Sequence, residues 1–206
     1  IPSPVNCVTF NRDPVQKKYG GFKILGENTD SLGLENAVLH NFNAKENYCA
    51  IVLGYGGASK AIINELTKNS CFKNILVFNR TFSKIKNIKK IFGERKPLLS
   101  NFKIEPLHIE DLANHTNKAD LIVNTAPVNM LGGLTKWDIG PKCYGFDVVY
   151  RPWEGTGFLK NFQETRRIEG IYMLVHQAAP CFEKWFGIEP QVDEEIFENL
   201  YKKLKK

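Results

Sequence analysis

No stretch of about 18 consecutive apolar residues occurs in the 206-residue chain, so no segment reads as a membrane-spanning helix. Glycine and proline number 16 and 10, too few for a collagen-like or low-complexity chain. Cysteine is scarce and odd in count: five residues, at 7, 49, 71, 143 and 181, with no C-x-x-C pair. That spacing argues against a disulfide framework and against a zinc site. It leaves the cysteines as small buried hydrophobes in a reducing compartment, and the expected location is cytoplasmic. The four histidines, at 40, 108, 115 and 176, show no ligand spacing, so no metal is expected. The opening Ile1-Pro2-Ser3-Pro4 has neither the basic nor the apolar part of a signal peptide. It also lacks Met, and the expectation is that the encoded start lies elsewhere.

What is present is a globular composition, with 43% hydrophobic and 24% charged residues. The length suits one large domain, or a domain plus a piece of another. The formal net charge is +6. Part of it is Lys202, Lys203, Lys205 and Lys206, which read as a solvated tail. Another part runs through Lys84, Lys86, Lys89, Lys90, Arg95 and Lys96. Neither stretch interleaves base-stacking aromatics with charge, so nucleic acid is not an expected partner. A small anionic ligand is enough to account for a basic neighbourhood.

Val5–Phe10 and Phe22–Leu25 read as strands joined by a polar turn. A helix is expected from Ser31 to Asn41, with Leu34, Val38 and Leu39 on one face and Thr29 or Asp30 as N-cap. From residue 48 the pattern changes. Cys49-Ala50-Ile51-Val52-Leu53 is a continuous apolar run, as in a strand covered on both faces. Ile75–Phe78, Leu121–Val123 and Phe146–Val149 repeat the theme, with helical segments between them. Buried strands alternating with helices predict an α/β fold with a doubly wound parallel sheet. Helices are expected over Leu174–Phe186 and along a last stripe of Ile196, Phe197, Leu200, Tyr201 and Leu204, which reads as core.

Gly54-Tyr55-Gly56-Gly57-Ala58-Ser59 follows a buried strand and opens a helix. In that context Gly54 permits a tight turn, Gly56 admits a pyrophosphate, and the free N–H groups of the helix start face the anion. Ser59 stands where the strict dinucleotide fingerprint has Gly or Ala, and a purely structural turn is the competing reading. The next strand ends in Asn79-Arg80-Thr81, with no acid to hold a ribose 2′-hydroxyl. Arg80 can instead meet a 2′-phosphate in fork geometry, Asn79 and Thr81 can donate hydrogen bonds, and Lys84 adds charge. That favours NADP over NAD. The alternative is an arginine that merely caps a loop.

A series of motifs then carries a resemblance. These are Val5-Asn6; Gly26-Glu27-Asn28-Thr29-Asp30-Ser31-Leu32-Gly33; Gly54 to Ala58; Asn79-Arg80-Thr81; Asn124-Thr125-Ala126-Pro127 before Met130; Asp147-Val148-Val149-Tyr150-Arg151-Pro152; and Gly170 through Met173-Leu174 to Gln177-Ala178. In this order and spacing the chain resembles the shikimate and quinate/shikimate dehydrogenases. The resemblance implies NADPH-dependent reduction of 3-dehydroshikimate to shikimate, the chorismate route to aromatic amino acids. It implies that Asn6, Asp30, Tyr150 and Gln177 bind substrate, with Asp30 also catalytic. It implies that Gly54, Tyr55, Gly56, Gly57 and Ala58 form the pyrophosphate turn, and that Asn79, Arg80, Thr81 and Lys84 meet the 2′-phosphate. Thr125, Val148, Gly170 and Met173 would line the nicotinamide half. The chemistry of these residue types agrees: a polyol needs fixed donors and acceptors, a carboxylate accepts, and Asn6 and Gln177 both donate and accept. Each also has a structural reading, with Asp30 as a helix cap, Gln177 as a surface residue and Met173 as core.

The resemblance further implies a Rossmann-type NADP-binding domain over 47–170. Residues 1–46 would be the C-terminal part, or remnant, of a smaller α/β substrate-binding domain, and 171–206 helices packing back toward it. In the family, a first domain ahead of the Val5-Asn6 strand carries a serine pair and a lysine that partners the aspartate at position 30. The 206-residue chain is therefore expected to bind NADPH yet oxidise shikimate poorly, because a positioned proton donor contributes about 10²–10⁴-fold. Ser31 and Asn129 stand where the family usually has Gly. The alternatives are a quinate/shikimate dehydrogenase with relaxed cofactor choice and a non-catalytic NADP-binding or regulatory module. Oligomeric state is not readable from the sequence.

Overall fold

The computed structural model describes residues 5–12, 15, 20–43, 46–93, 102–126, 137–150 and 156–204. Pro127, Asn129, Met130, Arg151 and Pro152 of the motifs above, and Arg95, Lys96, Lys205 and Lys206 of the basic stretches, lie outside the described residues. Two sheets are present among the described residues. The first is an antiparallel pair, β1 (Cys7–Arg12) and β2 (Phe22–Glu27), in register from Cys7 opposite Glu27 to Arg12 opposite Phe22. The second is a six-stranded, all-parallel sheet in the order β5-β4-β3-β6-β7-β8. Its strands are β3 (Tyr48–Leu53), β4 (Phe72–Asn79), β5 (Lys103–His108), β6 (Leu121–Asn124), β7 (Tyr144–Asp147) and β8 (Arg167–Glu169). This is the doubly wound dinucleotide-binding order, which reverses direction between its third and fourth strands in space.

The apolar runs form central strands because both faces of the sheet are covered. Ala50, Val52, Val77, Val123 and Phe146 point into one core, under α1 (Asp30–Ala37) and α2 (Gly57–Lys68). Ile51, Leu53, Phe78 and Ile122 point into the other, under Ile109, Leu112, Phe158 and Phe162. The second face departs from expectation. The described segments covering it, such as Ile109–Asn114 and Phe158–Asn161, are 3₁₀ turns where crossover helices were expected. The two sheet edges also escape the sequence reading. β5 carries Pro106 within Lys-Ile-Glu-Pro-Leu-His, and a strand with proline is tolerated at an edge. β8 is three residues long.

The expected first helix is shorter than Ser31–Asn41. α1 ends at Ala37, and a 3₁₀ turn over Leu39–Asn41 follows. α3 (Gly170–Phe186) starts one turn earlier than expected and closes on Gly187 in the left-handed region, φ 68°. α4 (Glu194–Leu204) buries no residue fully. Its stripe lies on the surface of α3, with the rings of Phe197 and Tyr172 4.6 Å apart, so it is a half-covered face and not core.

In the first sheet, side chains alternate. Cys7 is buried against α3, whereas Val8, Phe10, Phe22 and Ile24 are exposed on the opposite face. Trp185 Nε1 of α3 donates to the Val8 carbonyl at 3.0 Å, and Lys184 pairs with Glu27 of β2.

Candidate functional site

The strands of the large sheet end together. Leu53 pairs with Phe78 and Asn124, Asn79 with His108, and Asn124 with Asp147. In open α/β sheets ligands bind outside this carboxyl edge, at the point where strand order reverses. That point lies between β3 and β6. Gly54 follows β3 with φ 98°, and its N–H donates to the Phe78 carbonyl at 2.8 Å. A Cβ at Gly54 would come within 2.7 Å of Thr125 Oγ1. Positive φ and that close approach together require glycine. Gly56 and Gly57 are different: a Cβ on either would meet nothing within 4 Å, so their backbones border open space. Gly57 and Ala58 open α2, whose first N–H groups and positive dipole end face the same space. The Ser59 hydroxyl turns inward and donates to the Gly56 carbonyl at 3.1 Å, so the non-consensus sixth residue fits. Tyr55 is half-buried with Lys60 over its ring, and its hydroxyl has no partner among the described residues.

At the end of β4, Asn79 is buried and its Nδ2 donates to the Thr81 carbonyl at 3.0 Å. This ties down the turn on which Arg80, Thr81 and Lys84 are exposed. No ion pair of Arg80 or Lys84 occurs among the described residues. His108, which the sequence reading did not single out, accounts for the backbone here: its Nε2 lies 2.9 Å from the Arg80 carbonyl oxygen. A long basic side chain beside a capped backbone, with no carboxylate partner among the described residues, is available to an anion.

The third group of residues sits where β6 and β7 end. Thr125 donates to the Leu53 carbonyl through both its N–H (3.0 Å) and its hydroxyl (2.7 Å). Val148 N–H donates to the Asn124 carbonyl at 2.9 Å. Beneath them lies a buried polar pair that sequence reasoning also missed. The Asp147 carboxylate accepts from Asn124 Nδ2 (2.9 Å), Val149 N–H (3.1 Å) and the Thr156 hydroxyl. Asn124 Oδ1 in turn accepts from Ala126 N–H at 3.0 Å. Burial pushes the Asp147 carboxyl up from the ordinary aspartate range, and its three donors oppose that shift. Gly170 then begins α3 hard against this edge: a Cβ there would lie 2.5 Å from the Val148 carbonyl oxygen. Met173 is buried and packs against Gly33 of α1.

The fourth group joins three elements. Asn6 Nδ2, just before β1, donates to Asp30 Oδ1 (2.8 Å) on α1 and to Gln177 Oε1 (3.1 Å) on α3. Thr29 sets this geometry. Its N–H (2.9 Å) and hydroxyl (3.1 Å) both reach Asn6 Oδ1, which fixes which way the Asn6 amide faces. The same hydroxyl lies 3.2 Å from Gln177 Oε1. Thr29 is the N-cap residue of α1, yet its side chain makes no cap bond. Asn28 Oδ1 accepts the Asp30 N–H at 2.8 Å, and Asp30 is the first helical residue, not the cap. Tyr150 is exposed at the end of β7's loop, and no described contact joins it to Asn6, Asp30 or Gln177.

The family model for shikimate / quinate 5-dehydrogenase matches residues 36–130. The shikimate dehydrogenase (NADP(+)) of Azorhizobium caulinodans is 32% identical over 214 residues, covering 94% of this chain and 72% of the relative. The chain belongs to the shikimate/quinate dehydrogenase family. The shikimate dehydrogenase (NADP(+)) of Methanococcus maripaludis is 32% identical over 178 residues, covering 82% of this chain. The chain spans about three fifths of that relative's length, 61%. Among solved structures, a chorismate mutase/shikimate 5-dehydrogenase fusion protein from Clostridium acetobutylicum is 29% identical with a TM-score of 0.66, covering 98% of this chain and 68% of that one. No helix among the described residues is long and apolar enough to cross a membrane.

Proposed function

We propose that this chain forms the cofactor-binding part, and some of the substrate-binding part, of an NADP-dependent shikimate dehydrogenase acting on 3-dehydroshikimate and shikimate. The observation that carries the reading is the course of α3. Gly170, Met173 and Gln177 recur on one helical face. Gly170 touches the end of β7 at the cofactor edge, and Gln177 enters the Asn6–Asp30 cluster. Seven helical residues span about 10 Å, a separation suited to a nicotinamide ring beside a small polyol ring.

In this reading Gly54, Tyr55, Gly56, Gly57 and Ala58 hold the pyrophosphate, and the open space at Gly56 and Gly57 supports that fit. Asn79, Arg80, Thr81 and Lys84 receive the 2′-phosphate, with the exposed Arg80 as the fork. Thr125, Val148, Gly170 and Met173 border the nicotinamide half, where buried Met173 helps exclude water. NADPH, when bound, supplies the hydride. Asn6, Gln177 and Tyr150 orient the substrate hydroxyls, and the Asp30 carboxylate accepts from one of them. Reduction of a ketone leaves an alkoxide that needs a proton. The family resemblance assigns that proton to a lysine paired with Asp30, in a segment that precedes the Val5-Asn6 strand. We further propose that residues 1–46 belong to the substrate-binding unit, 47–170 to the NADP-binding unit, and that 171–206 bridge back toward the former. The exposed apolar row of Val8, Phe10, Phe22 and Ile24 supports the first assignment, because a hairpin needs cover on such a face. Five free cysteines, four of them buried, are in keeping with a cytoplasmic protein.

The test is titration of the 206-residue chain with NADPH, NADH and shikimate. NADPH is expected to raise the melting temperature, and shikimate oxidation is expected to be slow. Arg80→Ala should weaken NADPH by roughly tenfold to a hundredfold, the worth of hydrogen bonds to a charged group, and leave NADH unchanged. Equal loss of both cofactors would remove Arg80 from the 2′-phosphate site. No stabilisation by either would overturn the cofactor assignment.

A further inference from the structure

We propose that Asn124 and Asp147 are positioning residues for the nicotinamide half of the cofactor, acting through Thr125 and Val148, and that the adenosine half is held independently of them. This role rests on the cofactor assignment proposed above, in which neither residue figures.

Asn124 ends β6, Asp147 ends β7, and the two pair across the strands. Each folds its side chain back over the residue that follows. Asn124 Oδ1 accepts the Ala126 N–H at 3.0 Å, and Asp147 Oδ1 accepts the Val149 N–H at 3.1 Å. These are Asx turns, in which a side-chain oxygen stands in for a backbone carbonyl. The first encloses Thr125 and the second encloses Val148, both assigned to the nicotinamide half. The two turns are tied to each other. Asn124 Nδ2 donates to Asp147 Oδ1 at 2.9 Å, and the Val148 N–H donates to the Asn124 carbonyl at 2.9 Å.

The pair also reaches the neighbouring walls of the site. Thr125 joins it to β3, with its N–H and hydroxyl 3.0 and 2.7 Å from the Leu53 carbonyl oxygen. Gly170 sets the start of α3 against it: a Cβ there would lie 2.7 Å from the Asp147 carbonyl oxygen. On the far side the Thr156 hydroxyl donates to Asp147 Oδ2 and accepts the Phe158 N–H at 3.2 Å.

Asn124 is 0% and Asp147 2% exposed, and Asp147 is the only buried charged side chain among the described residues. A buried carboxylate is costly unless its oxygens are hydrogen-bonded, and a satisfied buried network rigidifies what it connects. Three donors satisfy this one, and they connect the ends of β6 and β7 with Thr156. The adenosine half has a separate set of contacts. The Gly54 N–H is held by the Phe78 carbonyl, and the turn carrying Arg80 is held by Asn79 and His108.

The experiment measures, by calorimetry on the 206-residue chain, the affinity for NADPH and for adenosine 2′,5′-bisphosphate, which has the 2′-phosphate but no nicotinamide. In Asp147→Ala the Val149 N–H and Asn124 Nδ2 lose their acceptor, and NADPH is expected to weaken roughly tenfold, with the bisphosphate bound as in wild type. Asp147→Asn keeps the geometry: its oxygen accepts from Asn124 and Val149, its amide donates to Thr156, and NADPH affinity should return to the wild-type value. Thr156→Val serves as a second variant should Asp147→Ala fail to fold. It removes one donor from outside both turns and should weaken NADPH roughly threefold, again sparing the bisphosphate. Equal loss of both ligands, or no loss of NADPH, refutes the pair as positioning residues. A deficit in Asp147→Asn as large as in Asp147→Ala refutes positioning by these hydrogen bonds. A wild-type chain that binds neither ligand overturns the cofactor assignment, and this role with it.

Discussion

Thr29 ought, by its position, to cap α1, and instead it holds Asn6 and Gln177. A local capping rule is broken where a site is built, as expected where function overrides local preference. Asn28 takes over the cap through the Asp30 N–H. The buried Asp147 shows the same scale of control, and its charge makes it testable by pH. Its folded-state value lies above its ordinary one, chiefly through burial. The folded chain therefore binds that proton more tightly than the unfolded chain. The stability from this group is fully present below the ordinary aspartate value, about 3.9, and is lost as pH rises through the raised one. Asp147→Asn keeps an acceptor for Asn124 and Val149 but cannot ionise. Measured by urea unfolding between about pH 4 and 7, wild type is expected to lose stability relative to the variant as pH rises. A difference that stays constant with pH would refute an upward shift at Asp147.

At the scale of elements, the site depends on how closely α1 and α3 approach. Gly33 makes that approach: a Cβ there would lie 2.9 Å from the Met173 carbonyl oxygen and 2.9 Å from Gln177 Cβ. Helix propensity alone favours Gly33→Ala by about 1 kcal/mol. Overpacking against a backbone atom that cannot yield opposes it by about 1–3 kcal/mol. The net expectation is destabilisation by up to about 2 kcal/mol, with a lower melting temperature and weaker shikimate binding, because Gln177 moves with α3. A variant as stable as wild type would show that the helices can part without loss. The same scale explains the two missed strands. β5 and β8 lie at the sheet edges, where apolar runs shorten and proline is tolerated, so the buried-strand signature that marks β3, β4 and β6 is absent there.

Across the whole molecule, burial is uneven. The six-stranded sheet is covered on both faces, whereas the hairpin leaves Phe10 64% and Ile24 49% exposed. Local opening follows such differences. Hydrogen exchange should find the β1–β2 amides faster than those of β3 and β6 by roughly an order of magnitude or more, and equal protection would contradict this. The sequence alone determined what depends on near neighbours. The Gly54–Ala58 turn, the buried strand before it and the missing acid after β4 are each legible within a few residues, because period and glycine tolerance act locally. Asn6, Asp30 and Gln177 were named through resemblance; no spacing in the chain predicts their meeting. Tertiary structure alone decided that Thr29 joins them, that His108 holds the Arg80 backbone, and that Asn124 and Asp147 share a buried bond. These contacts join residues distant in sequence, and their partners are set by how helices and strands pack, which no local pattern encodes.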